Sequence, residues 1–311
     1  MEKKLDVLIN NFLEYLEIEK NASKLTIRNY RHYLKIFSEW YSSTLPDKSL
    51  ESVSLSDIRR YRVFLAHQTD EKGVPLKKVT QNYYVIALRS FLRFLIKNDI
   101  KTLEPSKIDL PKTESRSLKF LEREQIDRLV TMPDTSTEEG MRDRAILELL
   151  FSTGLRVSEL AKLNHEQINL ERREFGVIGK GGRARIVFIS DRAAEWIARY
   201  LGVRTDGFKP LFIRYSGKVI EDDHGEKMRL TVRSIERMVK KYVKMARLPV
   251  DASVHTLRHS FATDLLTNGA DLRSVQEMLG HKNIATTQIY THITNRQLRD
   301  VHKAFHSGNK S

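Results

Sequence analysis

The chain has 311 residues, 40% hydrophobic and 30% charged, the balance of a globular protein with room for two domains and not of a disordered one. It holds no cysteine, which excludes disulfides, thiolate metal sites and thiol nucleophiles; no apolar run nears the ~18–20 residues of a membrane span, and the opening MEKKLDVL has no signal-peptide core, so a cytoplasmic location is expected. A net charge of +14 points to a polyanionic partner, and the surplus is shared, 19 basic against 14 acidic residues over 1–110 and 35 against 26 over 111–311.

Residues 3–19 place Leu5, Leu8, Ile9, Phe12, Tyr15 and Leu16 at helical spacing. Ser23 is placed to cap a second helix running to about Tyr41, with Leu25, Tyr30, Tyr33, Leu34, Phe37 and Trp40 facing inward. Ser54 starts a third helix, which the turn Gly73–Pro75 ends. A fourth covers about Val79–Lys97, with Tyr83, Ile86, Leu88, Phe91, Leu92 and Leu95 inward. Four amphipathic helices with short connections predict a helical bundle over residues 1–104. At the start of its last helix, Lys77, Lys78 and Gln81 are candidate contacts to a nucleic-acid phosphate backbone, because exposed helix-start amides favour phosphate and the chain is basic. Residues 105–118, with Pro105 and Pro111 among polar residues, predict a linker that suits a clamp closing on the polyanionic partner.

The second domain, 119–311, begins with helices near Glu122–Met132 and Glu138–Ser152. Gly154 ends the latter, and Arg156 and Glu159 follow on one face of a short helix. Residues 167–190 switch to strand character on either side of a turn at Lys180–Gly182. Gly179, Gly181 and Ala184 fit a loose dinucleotide pattern, but a strand follows where that pattern needs a helix. No ATP-type phosphate loop occurs either. A helix over Asp191–Leu201, a short strand LFIRY at 211–215, an exposed loop at 216–229 and a basic helix from Thr231 to Ala246 complete the run to Pro249.

The stretch 254–292 carries the chemistry: His255 and Arg258 three apart, His281 after a glycine, and Tyr290 nine residues later. Phosphodiester transfer must neutralise charge gathering on the non-bridging oxygens, with metal ions or with fixed cationic donors. A metal route needs clustered carboxylates, and Asp222 and Asp223 stand alone in the 216–229 loop, so no metal is expected. The cationic route has its parts. Arg156 and Arg258 offer paired donors, His255 and His281 exchange protons near neutrality, Tyr290 is an oxygen nucleophile, and Lys180 is the candidate acid for the leaving oxygen.

With these residues in order, the chain resembles the tyrosine recombinases of the phage-integrase family, in their two-domain Xer form. The resemblance rests on Arg156 and Glu159 in TGLRVSEL, Lys180 in GKGGRAR, His255 and Arg258 in HTLRHSFAT, His281 in LGHKN and Tyr290 in IYTH. It implies a mainly α fold with a small β-sheet, an N-terminal SAM-like core-binding bundle and an α+β catalytic domain. It further implies a 3′-phosphotyrosyl intermediate on Tyr290 and a free 5′-hydroxyl that attacks in turn, passing through a Holliday junction without a cofactor. Arg156, Arg258 and His281 would hold the phosphate, His255 would assist proton movement, and Glu159 would position its neighbours. The partner would be double-stranded DNA carrying a specific site, bound by a homotetramer on two duplexes or by a heterotetramer with a related recombinase. A helix over 294–306, with Leu298, Val301 and Phe305 on one side, would dock on a neighbouring subunit. Two rival readings share these residues, a type IB topoisomerase and a DNA-binding protein of the same fold without the chemistry.

Overall fold

The computed structural model describes residues 2–69, 73–111, 119–179, 182, 184–220, 223–249, 251–281, 283 and 286–290. The chain divides into two compact units, Met1–Ser115 and Arg116–Ser311.

The first unit is a bundle of α1 (Glu2–Ile18), α2 (Lys24–Thr44), α3 (Leu55–His67) and α4 (Lys78–Lys97). Local chemistry sets the starts: the Ser23 hydroxyl accepts from the Thr26 amide, and the Asp57 carboxylate accepts from the amide and hydroxyl of Ser54. Each helix sends rings to one core, with Phe12 against Phe91 at 5.7 Å and Phe37 against Tyr61 at 5.2 Å. Two expected core residues point outward, Leu25 at 57% and Tyr83 at 50% exposure. On α4 the inward stripe runs through Tyr84, Val85, Leu88, Phe91, Leu92 and Leu95, one residue out of phase with the expected one at its start. The linker expected from residue 105 begins inside this unit, because Pro105 is buried and Ile108, at 1% exposure, belongs to the core. Burying the apolar Ile108 side chain ties the segment down where its polar neighbours would not.

The second unit is built on α6 (Glu138–Thr153), buried on nearly every side and packed against α8 (Asp191–Val203) and α10 (Val254–Thr267). Around them lie α5 (Arg123–Val130), α7 (Val157–Leu160), α9 (Val232–Met245) and α11 (Leu272–Leu279). Strands β1 (Glu174–Ile178) and β2 (Ala184–Phe188) pair antiparallel, Phe175 opposite Val187 and Val177 opposite Arg185. Residues 211–215, expected as a strand, make one isolated bridge, Ile213 to Arg229, with Leu211, Phe212 and Ile213 buried. The described part of the 216–229 segment is tied to the fold. It carries 3-10 turns over Asp223–Met228, broken at His224 and Gly225 where φ is 63° and 81°, buries Met228, and is held by Arg214, whose guanidinium donates to the carbonyls of Ser216, Lys218 and Lys227.

Candidate active site

Two glycine-ended helices make the acceptors around which the site forms. At the end of α6, Gly154 takes φ 59°, and a Cβ there would lie 2.4 Å from the Phe261 ring, so only glycine closes the helix this way. At the end of α11, Gly280 takes φ 65°. A helix C-terminus leaves carbonyls without partners and carries partial negative charge, which suits cations.

Three arginines from three elements converge on the α11 end. Arg185 of β2 donates through Nε to Met278 O at 3.1 Å, Arg258 of α10 through Nη2 to Leu279 O at 2.7 Å, and Arg156 through Nη2 to Gly280 O at 3.5 Å. Arg258 also donates through Nη1 to Gly154 O, joining the two helix ends. Glu159 balances this charge. Its carboxylate takes both ends of Arg185 at 3.1 and 2.8 Å, Arg156 Nη1 at 2.8 Å and the Arg156 amide at 3.0 Å. Burial alone would raise its pKa, but the hydrogen bonds and charges of Arg185 and Arg156 hold it down to about 2. Burial, and then the neighbouring Arg156 charge, push Arg258 down to about 10.

His281 follows Gly280 and meets Arg258 Nη2 through Nε2 at 3.0 Å. A guanidinium only donates, so Nε2 accepts and the ring proton sits on Nδ1, which donates to Thr287 Oγ1 at 2.9 Å. Burial, and then Arg258 and Arg156, lower the His281 pKa to about 4, so the ring is neutral at pH 7. Thr287 O in turn accepts the Tyr290 amide at 3.0 Å. The Tyr290 ring, 1% exposed, packs with Ala262, Leu266, Val275 and Leu279, between α10 and α11. Its hydroxyl meets His259 Nδ1 at 2.6 Å. Arg258, His281, Thr287, Tyr290 and His259 thus close a ring that starts and ends on α10. Burial pushes Tyr290 up to about 12, although Arg258 pulls it back, and burial together with the His255 and Arg258 charges lowers His259.

The structure therefore brings together Arg156, Glu159, Arg258, His281 and Tyr290. His255 is exposed on the first turn of α10, where it lines a cleft of about 680 Å³ with Arg233, Arg237 and Lys240 of α9. Lys180 lies outside the described residues. Lys77 and Lys78 are exposed at the start of α4 in the first unit, whereas Gln81 Nε2 is occupied by Leu76 O at 2.8 Å. Sequence reasoning passed over Arg185 and His259. His259 had a signal, standing four residues from His255 and one from Arg258 on one helix; Arg185 had none beyond being a basic residue in a strand. Among the described residues no group of His, Asp and Glu could hold a metal ion, and no helix is long and apolar enough to cross a membrane.

Comparison with known proteins gives a consistent picture. Residues 119–297 match the phage integrase family, and residues 9–99 match the phage integrase N-terminal SAM-like domain. The chain is 39% identical to tyrosine recombinase XerD of Lacticaseibacillus casei, over 96% of this chain and 98% of that one. It is 38% identical to tyrosine recombinase XerC of Pelotomaculum thermopropionicum, with the same coverage of both chains. Among solved structures, the XerH site-specific recombinase in a post-cleavage complex with palindromic difH substrate shares the fold at a TM-score of 0.70, with 23% identity over 97% of this chain and 84% of that one.

Proposed function

Because the chain belongs to the phage integrase family and is a Xer-like tyrosine site-specific recombinase, we propose that Tyr290 is the nucleophile that cuts and rejoins a specific DNA site. The observation that carries this reading is the convergence of Arg156 and Arg258 beside His281 at the glycine-ended terminus of α11, one hydrogen-bonded ring away from Tyr290. Two guanidiniums offer planar pairs of N–H donors to the non-bridging oxygens of a phosphate. Fixed donors of this kind stabilise the charge of the pentacoordinate state without reorganising during the reaction.

In this mechanism the Tyr290 oxygen bonds to the scissile phosphorus and the P–O5′ bond breaks, leaving a 3′-phosphotyrosyl link. Lys180, in the β1–β2 turn, gives the leaving oxygen its proton. His255 assists proton movement from the cleft side, and Glu159 sets the orientation of Arg156. The freed 5′-hydroxyl of a partner strand then attacks the phosphotyrosine, so bond energy is kept and two exchanges pass through a Holliday junction. Tyr290 is buried in the free protein, so loading of DNA has to open this corner.

The surfaces around the site suit a duplex. The basic face of α9 presents Arg233, Arg237, Lys240, Lys241 and Lys244, lining the His255 cleft and a second cleft of about 770 Å³. In the first unit, Lys77 and Lys78 offer further phosphate contacts, and residues 1–104 serve as the DNA-gripping domain. The reading extends to a tetramer of this chain, or of this chain with a related recombinase, on two duplexes in the cytoplasm, with segment 294–306 docking between subunits. That segment lies outside the described residues.

A nicked suicide substrate, made from candidate sites flanking the gene, tests the reading. The intact protein should give a shifted protein–DNA band on a denaturing gel, and Tyr290→Phe should give none. A band that persists in Tyr290→Phe, or that demands a divalent ion, overturns it.

A further inference from the structure

We infer that His259 is the group that orients the Tyr290 hydroxyl and accepts its proton during cleavage. This rests on Tyr290 being the nucleophile.

The hydroxyl lies 2.6 Å from His259 Nδ1, and the rings stand 5.7 Å apart at 59°. The direction of the bond follows from burial. Were Nδ1 the donor, the phenol hydrogen would be left without an acceptor in a side chain only 1% exposed. The phenol therefore donates, and the neutral imidazole carries its proton on Nε2. Burial lowers the His259 pKa first, followed by the charges of His255 and Arg258, so the ring is free to accept at neutral pH. His281 also stands near enough to be influenced by His259, and with Arg258, Tyr290 and His255 it completes the titratable surroundings of the ring.

The need for a base is acute. With its pKa pushed up to about 12, Tyr290 is ionised in roughly one molecule in 10⁵ at pH 7. The other histidines are poorly placed for the task. His281 spends Nε2 on Arg258 and Nδ1 on Thr287, and His255 is exposed on the α9 side. His259 is one residue from Arg258 on a continuous helix, so the base is fixed relative to the guanidinium that holds the phosphate.

The step balances. As the phenol oxygen bonds to phosphorus, its proton passes to His259 Nδ1, while the departing 5′-oxygen takes a proton from Lys180. In rejoining, the 5′-hydroxyl attacks the phosphorus and gives its proton back to Lys180, the P–O bond to Tyr290 breaks, and His259 returns its proton to the departing phenolate.

Full-length protein, His259→Gln and His259→Asn would be compared on the suicide duplex that traps the Tyr290 adduct. The amide introduced by His259→Asn keeps an acceptor near the position of Nδ1 but cannot take up a proton, so it separates orientation from basicity. At pH 7 both variants should form adduct ~100-fold more slowly, the range of a lost general base. Between pH 7 and 9 their rates should climb about tenfold per pH unit, as tyrosinate becomes available, while the wild-type rate stays level. Duplex affinity by gel shift should stay within about twofold, which guards against misfolding. A 5′-bridging phosphorothiolate, whose thiolate leaves without a proton, should not rescue either variant but should rescue loss of Lys180. Faster adduct formation in the variants, a flat pH profile, or rescue by the phosphorothiolate overturns the inference. If Tyr290→Phe forms no adduct while the His259 variants behave as wild type, the inference falls and the nucleophile assignment stands.

Discussion

The two units of this chain bury different things. The first fills its interior with rings, and its buried polar residues, among those described, are Ser38 and Asp57. The second buries Arg142, Asp143, Arg144, Glu148, Glu159 and Arg258, nearly all in pairs: Arg142 with Asp143 at 2.6 Å, Arg144 with Glu148 at 2.9 Å, and Arg185 with Glu159 at 2.8 Å. Desolvating an ion costs several kcal/mol, so such pairs add little net stability over apolar packing. What they provide is charge at fixed positions. The first unit, by contrast, buries one carboxylate among its described residues, Asp57, paired with Lys48 at 2.5 Å. In the proposed mechanism the second unit holds guanidiniums where a phosphate would lie and buries a counter-charge with them, Glu159, which pairs with Arg156 and Arg185.

The sharpest break in this contrast comes at Arg258. Its guanidinium meets Gly154 O, Leu279 O and His281 Nε2 together, which the single ammonium of lysine cannot do. Arg258→Lys should slow adduct formation by ~10²–10³-fold, the loss seen when one preorganised donor is removed from a developing oxyanion. Gel-shift affinity for duplex DNA should change little, since the net charge is kept. If the variant cleaved at the wild-type rate, the planar fork would be irrelevant and buried charge in this unit would need another explanation.

Glu159→Gln tests the counter-charge. The carboxyl is held at about 2 in the folded protein against an ordinary 4.5. A depressed carboxyl contributes stability that is present above its unfolded pKa and is lost as pH falls through the folded one. The window is therefore pH 4.5 down to about 2, and the contribution at pH 7 is about 3 kcal/mol. Glu159→Gln should lower the unfolding free energy of the second unit by about that much at pH 7, and the gap from wild type should close towards pH 2. Calorimetry at pH 7 and pH 3 measures both. Adduct formation should also slow, because the Arg156 guanidinium loses its charged partner and Arg185 its bidentate one.

How much of this was legible in advance depends on how local the cause is. Helix starts at Ser23 and Ser54 and the helix end at Gly154 follow from groups within a few residues, and the hairpin around Lys180–Gly182 follows from a turn between alternating strands. The inward phase of α4 was harder, because Tyr83 and Tyr84 are equally apolar and only the bundle selects Tyr84, whose hydroxyl pairs with His32 at 2.9 Å. The order Arg156, His255, Arg258, His281, Tyr290 could be read from motifs; that Arg156, Arg258 and Arg185 share the end of α11 could not, since those carbonyls belong to the backbone. The burial of Tyr290 was equally hidden, because it depends on a groove between α10 and α11 that has no sequence spacing of its own.

A pair of tyrosines turns the contrast between the units into a difference of sign. Tyr61 sits in the first unit among Phe37, Trp40 and Phe64, and its hydroxyl is buried with no hydrogen-bond partner among the described residues. Tyr242 sits in the second unit, and its hydroxyl donates to Asp143 Oδ2 at 2.9 Å. Removing the Tyr242 hydroxyl takes a donor from a buried carboxylate, so Tyr242→Phe should cost ~2 kcal/mol. Removing the Tyr61 hydroxyl relieves a desolvated group that gains nothing in return, so Tyr61→Phe should stabilise the first unit by ~1 kcal/mol. Denaturant titration of each variant, read as a shift of midpoint at constant slope, gives both values. Two losses of similar size would mean that the apolar core has found a use for its hydroxyl, and the division between a ring-filled unit and a charge-filled one would not hold at Tyr61.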